Sequence, residues 1–150
     1  MIKDPPLQTH LALSSRFANI EIAERTLVDL CAQAGVDGDE SYWLVTACRE
    51  AVANAVRHGN RQDPDLQVSI WYEITPDEVV IRVEDQGDGF DLESVPDPTD
   101  PELLLRPSGR GIFYMRQFMN RVEFSRAPGG GTVVEMARRL QSGQGVTDEE

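Results

Sequence analysis

Residues 39–59 read DESYWLVTACREAVANAVRHG, and this stretch decides how the rest of the chain is read. Leu44, Ala47, Cys48, Ala51, Val52, Ala55 and Val56 recur at three- and four-residue spacing, the stripe of an amphipathic helix. Asp39 is the expected N-cap and Gly59 the expected end. Glu50, Asn54 and His58 stand at i, i+4 and i+8. Each such step turns a helix by only about 40°, so the three line one face, nearly opposite the apolar stripe. Alone, a Glu-x-x-x-Asn pattern describes a solvated polar face. The residues around it change its weight.

Upstream, Ile22, Ala23, Leu27, Leu30, Cys31 and Ala34 predict a helix over 22–34, stopped by Gly35. Residues 7–13 alternate weakly, as an edge strand does. Downstream, 66–74 and 78–84 read as strands, and Thr75-Pro76-Asp77 between them predicts a hairpin. Asp85-Gln86-Gly87-Asp88-Gly89-Phe90 is a Gly-rich turn, followed by an acidic, Pro-rich stretch over 91–101 that cannot be a regular element. Ser108-Gly109-Arg110-Gly111 opens a third helix over 111–120, with Ile112, Met115, Phe118 and Met119 facing inward. Segments 122–125 and 132–137 predict a last hairpin around Pro128-Gly129-Gly130-Gly131. The order is βααββαββ. It defines an α+β fold, a two-layer sandwich with helices on one face of a mostly antiparallel sheet. One domain is expected over 1–140, followed by a disordered polar tail over 141–150.

Composition removes several functions. The chain has 150 residues, 14 basic and 26 acidic side chains and a net charge of -12. Thirteen of the basic residues are arginine and the only lysine is Lys3. A Walker-type phosphate loop, a protein-kinase strand lysine and a Schiff-base enzyme each need a lysine in context, so these classes are disfavoured. The charge also disfavours direct nucleic-acid or membrane binding. No apolar run approaches ~18 residues and the N-terminus lacks a signal core, which points to the cytoplasm. Cys31 and Cys48 fall within helical patterns and read as small buried hydrophobes. His10 and His58, the only histidines, give no zinc-binding spacing.

Chemistry gathers at four places. Asp85 follows an apolar strand and stands beside Gly87 and Gly89. A carboxylate there can accept a hydrogen bond from a base edge while the bare backbone approaches a flat ligand. Gly109-Arg110-Gly111 lies at a helix N-terminus, where free N–H groups and the helix dipole favour phosphate. Gly129-Gly130-Gly131-Thr132 alone is a plain turn. Glu50 and Asn54 complete the set.

In this order and spacing the four signals resemble the GHKL (Bergerat-fold) ATP-binding superfamily, over roughly residues 11–138. Residues 50–59 look like its N box, 85–90 its G1 box, 109–112 its G2 box, and Gly131-Thr132 its last box. The small size, the His-Gly ending and the run Leu105-Arg106-Pro107-Ser108-Gly109-Arg110-Gly111 resemble one branch. That branch comprises the bacterial anti-sigma-factor serine/threonine kinases of the general-stress and sporulation type.

The resemblance implies ATP and Mg²⁺ as cofactors, with Asn54 as the magnesium ligand and Glu50 as the catalytic general base. It implies that Asp85 binds adenine with Thr132 close by, and that Gly87 and Gly89 let the backbone pass the nucleoside. Gly109, Arg110 and Gly111 match the phosphate-binding turn, residues 91–108 an ATP lid, and Arg106 a γ-phosphate contact. His58 is given a helix-terminal structural role. The implied partners are a sigma factor and a small anti-anti-sigma antagonist that is phosphorylated, with the kinase a homodimer and Arg25 the nearest match to a partner-binding arginine. The alternative is an ATP-responsive sequestering module with little kinase activity. A histidine-kinase fragment is disfavoured because no upstream dimerisation helix with a phosphoacceptor histidine is present. Phosphate charge in this fold can be met by Mg²⁺, helix N–H groups and arginine, which accounts for the missing lysine. Eight acids and no base lie between Arg82 and Arg106, against seven arginines from Arg106 to Arg139. An acidic lid of this kind implies nucleotide affinity that depends strongly on Mg²⁺.

Overall fold

Five strands form one sheet, β1 Leu7–Ser14, β2 Gln67–Ile74, β3 Glu78–Glu84, β4 Arg121–Arg126 and β5 Thr132–Arg139, and burial alternates with period two along β1, β2 and β3. The computed structural model describes residues 6–87 and 107–141, the side chains of 107–110 excepted. The strands lie in the order β1-β2-β3-β5-β4 and every neighbouring pair is antiparallel. Three helices, α1 Ile20–Ala34, α2 Gly38–Asn54 and α3 Pro107–Phe118, complete the expected βααββαββ order. The fold is α+β, as the hydrophobic pattern predicts, with β1 at an edge.

The core lies between the helices and one face of the sheet. Val68, Ile70, Tyr72 and Ile74 of β2 and Val79, Ile81 and Val83 of β3 point into it and are buried. They meet Ala23, Leu27 and Cys31 of α1 and Leu44, Ala47, Cys48, Ala51 and Val52 of α2. Burying each large aliphatic side chain contributes about 1.5–3 kcal/mol, so this stripe-to-sheet packing dominates the stability. The Tyr72 hydroxyl satisfies itself inside the core by donating to the Ala23 carbonyl at 2.8 Å. Both cysteines are free and buried, as expected. Burial pushes the Cys48 thiol up to about 12, which keeps it in the unreactive form.

The opposite sheet face is polar, an arrangement antiparallel sheets tolerate in water. There His10 stacks on Trp71 with centroids 4.5 Å apart, and the Arg82 guanidinium lies 5.3 Å from the Trp71 ring. Among the described residues no helix is long and apolar enough to cross a membrane.

The helix ends depart from expectation in instructive ways. The N-cap of α2 is Asp37, not Asp39; its carboxylate accepts the Asp39 N–H at 3.2 Å. Two Asp residues flank Gly38, and the earlier one adopts the extended backbone that a cap requires (φ -55°, ψ 146°). α1 begins at Ile20 rather than 22, after a single 3-10 turn over Phe17–Asn19, and Ile22 is exposed. Gly35 ends α1 in the left-handed region at φ 74°, as predicted. α3 begins at Pro107, not 111, because proline is preorganised for the first helical position. It ends at Phe118; Asn120 lies beyond it, donating its N–H to the Ala137 carbonyl at 2.8 Å. The end of α2 is the main difference. After Asn54 the coil widens into one π-turn, Ala55–Gly59, which the periodicity did not predict.

Candidate functional site

β3 delivers Asp85 to the end of the sheet, where β5 begins. The Asp85 N–H donates to the Thr132 carbonyl at 3.0 Å, and the Thr132 N–H donates back to Asp85 Oδ1 at 3.1 Å. Gly87 N–H donates to the same oxygen at 3.1 Å. Asp85 is 3% exposed, and among the described residues Oδ2 has no donor. Burial raises its carboxyl above the ordinary value, against the lowering effect of the Thr132 and Gly87 N–H groups; neighbouring Glu84 raises it further.

Three glycines make this burial possible. A Cβ on Gly59 would overlap the Asp85 carboxylate, and one on Gly131 would overlap the Asp85 carbonyl. A Cβ on Gly87 would overlap the Gly59 carbonyl. The backbone of the π-turn, the loop after β3 and the start of β5 therefore close around one carboxylate.

The second half of the site is on α2. Glu50 and Asn54 both face Gly111 of α3. A Cβ there would lie 2.9 Å from Glu50 Oε1 and 3.7 Å from the Asn54 amide. This polar face is half-buried under α3 rather than fully solvated, because a glycine lets the helices approach. The Glu50 side chain is 27% exposed, and its Oε2 lies 3.8 Å from Arg49 Nε. Arg49 in turn pairs with Glu24 of α1 at 3.3 Å.

Between the two halves lies a cavity of about 10 Å³, lined by Asn54, Ala55, Val83, Asp85, Met115, Phe124 and Thr132 among others. That is room for about one water. A planar base enters only when flexible side chains such as Met115 shift. A cradle without side chains and an acceptor without a donor fit the N–H edge of a flat heterocycle. The Asn54 amide oxygen is a hard donor that suits a cation shared with phosphate oxygens. Among the described residues no three His, Cys, Asp or Glu side chains cluster as a metal cage.

Of the residues singled out by sequence, Glu50, Asn54, Gly111, Asp85, Gly87 and Thr132 converge here. Thr132 holds the carboxylate through its backbone N–H. Gly109 and Arg110 are placed as backbone only, inside the first turns of α3 rather than before it. Gly89, Arg106 and the acidic lid up to 106 lie outside the described residues. His58 does not join Glu50 and Asn54. The π-turn changes its phase and leaves it exposed, with its pKa lowered by partial burial and by adjacent Arg57. Arg25 is on the surface of α1, paired at 2.9 Å with Glu21 one turn earlier.

Two features escaped sequence reasoning. Asn60, directly after the π-turn, is buried and bonded on both sides. Glu40 is buried in an ion pair with Arg138, 98 residues away. A polar residue just past a helix-ending glycine hints at the first. No local pattern signals the second.

A helix-backed antiparallel sheet that walls a buried acidic acceptor with glycines, beside a Glu-Asn helix face, defines an ATPase domain of the histidine-kinase type. The chain belongs to the histidine kinase-like ATPase domain family, whose model matches residues 13–138. It is 31% identical over 143 residues to the anti-sigma F factor of Bacillus velezensis, covering 93% of this chain and 97% of that one. It is 28% identical over 132 residues to the serine-protein kinase RsbW of Staphylococcus aureus, covering 83% and 82%. These relatives put it in the anti-sigma-factor kinase branch of the family. A crystal structure of the RsbU and RsbW domains of a Mycobacterium tuberculosis protein shares the fold, with TM-score 0.64 and 20% identity over 91% of this chain and 33% of that one.

Proposed function

We propose that the protein is an ATP- and Mg²⁺-dependent serine/threonine kinase and anti-sigma factor, acting on a small anti-anti-sigma antagonist. The observation that carries the reading is a buried Asp85 carboxylate, with no cation among the described residues, facing Asn54 across one small cavity while Glu50 stands one turn earlier on the same helix. Asp85 Oδ2 accepts the exocyclic N–H of adenine, and the Gly87 and Gly131 backbone passes the ring. Asn54 holds the magnesium ion through its amide oxygen. The N-terminal N–H groups and dipole of α3 meet phosphate charge. Glu50, partly exposed at the rim, takes the proton of the substrate hydroxyl. When bound, Mg·ATP supplies the phosphoryl group that is transferred.

A phosphoserine adds about -1.5 to -2 charges to the antagonist surface and so breaks its complex with an acidic kinase. The sigma factor and the antagonist are the proposed partners, the chain acts as a homodimer, and exposed Arg25 contacts a partner. The likeness to an anti-sigma F factor and to a serine-protein kinase over most of the chain supports this reading.

Incubation with labelled ATP, Mg²⁺ and a candidate antagonist tests it. Glu50→Gln should lower phosphotransfer by roughly 10²–10⁴-fold while nucleotide binding survives, the usual scale for losing a general base. Transfer by Glu50→Gln at the wild-type rate would sink the assignment.

A further inference from the structure

The two halves of the site sit on different elements, Glu50 and Asn54 on α2 and Asp85 after β3. Something must fix the distance between them. The π-turn that separates Asn54 from Gly59 changes both the rise and the phase of the helix at that point, so helix geometry alone does not set this distance.

Asn60 closes the gap. It is 2% exposed and each of its polar groups is used. Its backbone N–H donates to the Ala55 carbonyl at 2.8 Å and closes the π-turn. Its side-chain Nδ2 donates to the Gln67 carbonyl at the start of β2 at 2.9 Å. Its Oδ1 accepts the Gln86 N–H, next to Asp85, at 2.8 Å. A donor facing a carbonyl and an acceptor facing an N–H fix the amide orientation without ambiguity. Gln86 returns the connection by accepting the Gln67 N–H on Oε1 at 2.7 Å. This staple presses the Gly59 carbonyl against Gly87 and brings Gly59 onto the Asp85 carboxylate, where neither glycine has room for a Cβ. Arg61 and Gln62 follow at φ 53° and 60°, consecutive left-handed residues that turn the chain away sharply enough for Asn60 to face inward. Gln62 N–H is tied back to the Val56 carbonyl at 2.7 Å.

We propose that Asn60 is a positioning residue that sets the Asp85 half of the site against the Glu50–Asn54 half. Its amide donates to Gln67 and accepts from Gln86 at once. It touches no reacting atom; it acts through the Asp85 loop. This rests on the reading of the cavity as an adenine site, so the affected quantity is nucleotide affinity rather than turnover.

The test is titration of ADP by calorimetry, with KM for ATP and kcat measured separately and a melting curve for each variant. Asn60→Ala should raise the Kd for ADP and the KM for ATP roughly tenfold and leave kcat within about twofold, the signature of lost ground-state positioning. Asn60→Asp keeps the acceptor for Gln86 but sets a carboxylate oxygen against the Gln67 carbonyl, and should weaken ADP binding at least as much as Asn60→Ala. Glu40→Gln, a buried change at the other end of α2, should lower the melting temperature and leave the Kd for ADP unchanged. Should Asn60→Ala not fold, Gln86→Ala removes only the Gln67 strap from an exposed position and should still weaken ADP binding by about threefold. Unchanged ADP affinity in folded Asn60→Ala, or in Gln86→Ala where the former does not fold, overturns the positioning role alone. Wild-type protein that binds no ADP overturns the adenine-site reading on which it rests.

Discussion

Glu40 and Asp85 are 2% and 3% exposed, yet the fold meets their charges in opposite ways. Glu40 Oε1 accepts from Arg138 Nε at 3.0 Å and Oε2 from the Gln141 N–H at 2.9 Å. Arg138 is itself held twice more: Nη1 donates to the Phe118 carbonyl at 2.6 Å and its guanidinium lies 4.6 Å from the Trp43 ring. The first turn of α2, the end of α3 and the last strand are thereby locked together. Among the described residues Asp85 has no cation, and both N–H groups that reach it share Oδ1. A carboxylate with both oxygens satisfied and a cation beside it has nothing left to offer a ligand. One with an oxygen to spare still has an acceptor to offer when a ligand brings a donor.

Removing each group separates the two roles. Glu40→Ala leaves the Arg138 charge buried without its partner and should cost about 3–5 kcal/mol, the range for breaking one side of a buried pair. Denaturant unfolding measures it, and ADP affinity should not follow. A cost under about 1 kcal/mol would mean that the pair is solvated like a surface bridge. Asp85→Asn should do the reverse. The Asn side chain still accepts from Gly87 and Thr132 and no longer buries a charge, so stability should hold or rise. At Oδ2 an acceptor becomes a donor, so ADP affinity should fall by roughly 10- to 100-fold, the scale of a charged hydrogen bond lost. Equal loss of stability from the two variants would erase the distinction between the carboxylates.

The same pair shows what a sequence discloses. Asp85 is legible because strand, carboxylate and glycines are neighbours in the chain, and Glu50 with Asn54 because one helix carries both. The order of elements and the core stripe follow from periods of two and 3.6 for the same reason. The Glu40–Arg138 pair joins positions 98 residues apart, and nothing local marks either. The π-turn is equally silent, since one widened turn shifts the helical period by too little for five residues to reveal. It is why His58, placed with Glu50 and Asn54 by a regular helix, ends up exposed elsewhere, and why Asn60 arrives inside. α3 starts four residues before the expected 111 because Pro107 takes the first helical position and draws Gly109 and Arg110 into the helix.

The finest test of the comparison uses pH. Burial holds the Asp85 carboxyl above 3.8, its ordinary value, so the native state keeps a proton at a pH where the unfolded chain has already released it. Stability contributed at this site is therefore lost as pH rises from the unfolded value through the raised native one, and stays lost above it. Affinity runs the other way, because only the ionised group leaves both oxygens as acceptors, and it should weaken as pH falls through the same window. Other carboxylates titrate there too, so the readout is the difference between wild type and Asp85→Asn. The stability advantage of Asp85→Asn should shrink on acidification, and so should its disadvantage in ADP binding. Calorimetric titration and denaturant unfolding across the acid range measure both. Two differences that stay flat with pH would mean that Asp85 is ionised throughout, its charge met by the two N–H groups on Oδ1 as fully as Arg138 meets that of Glu40.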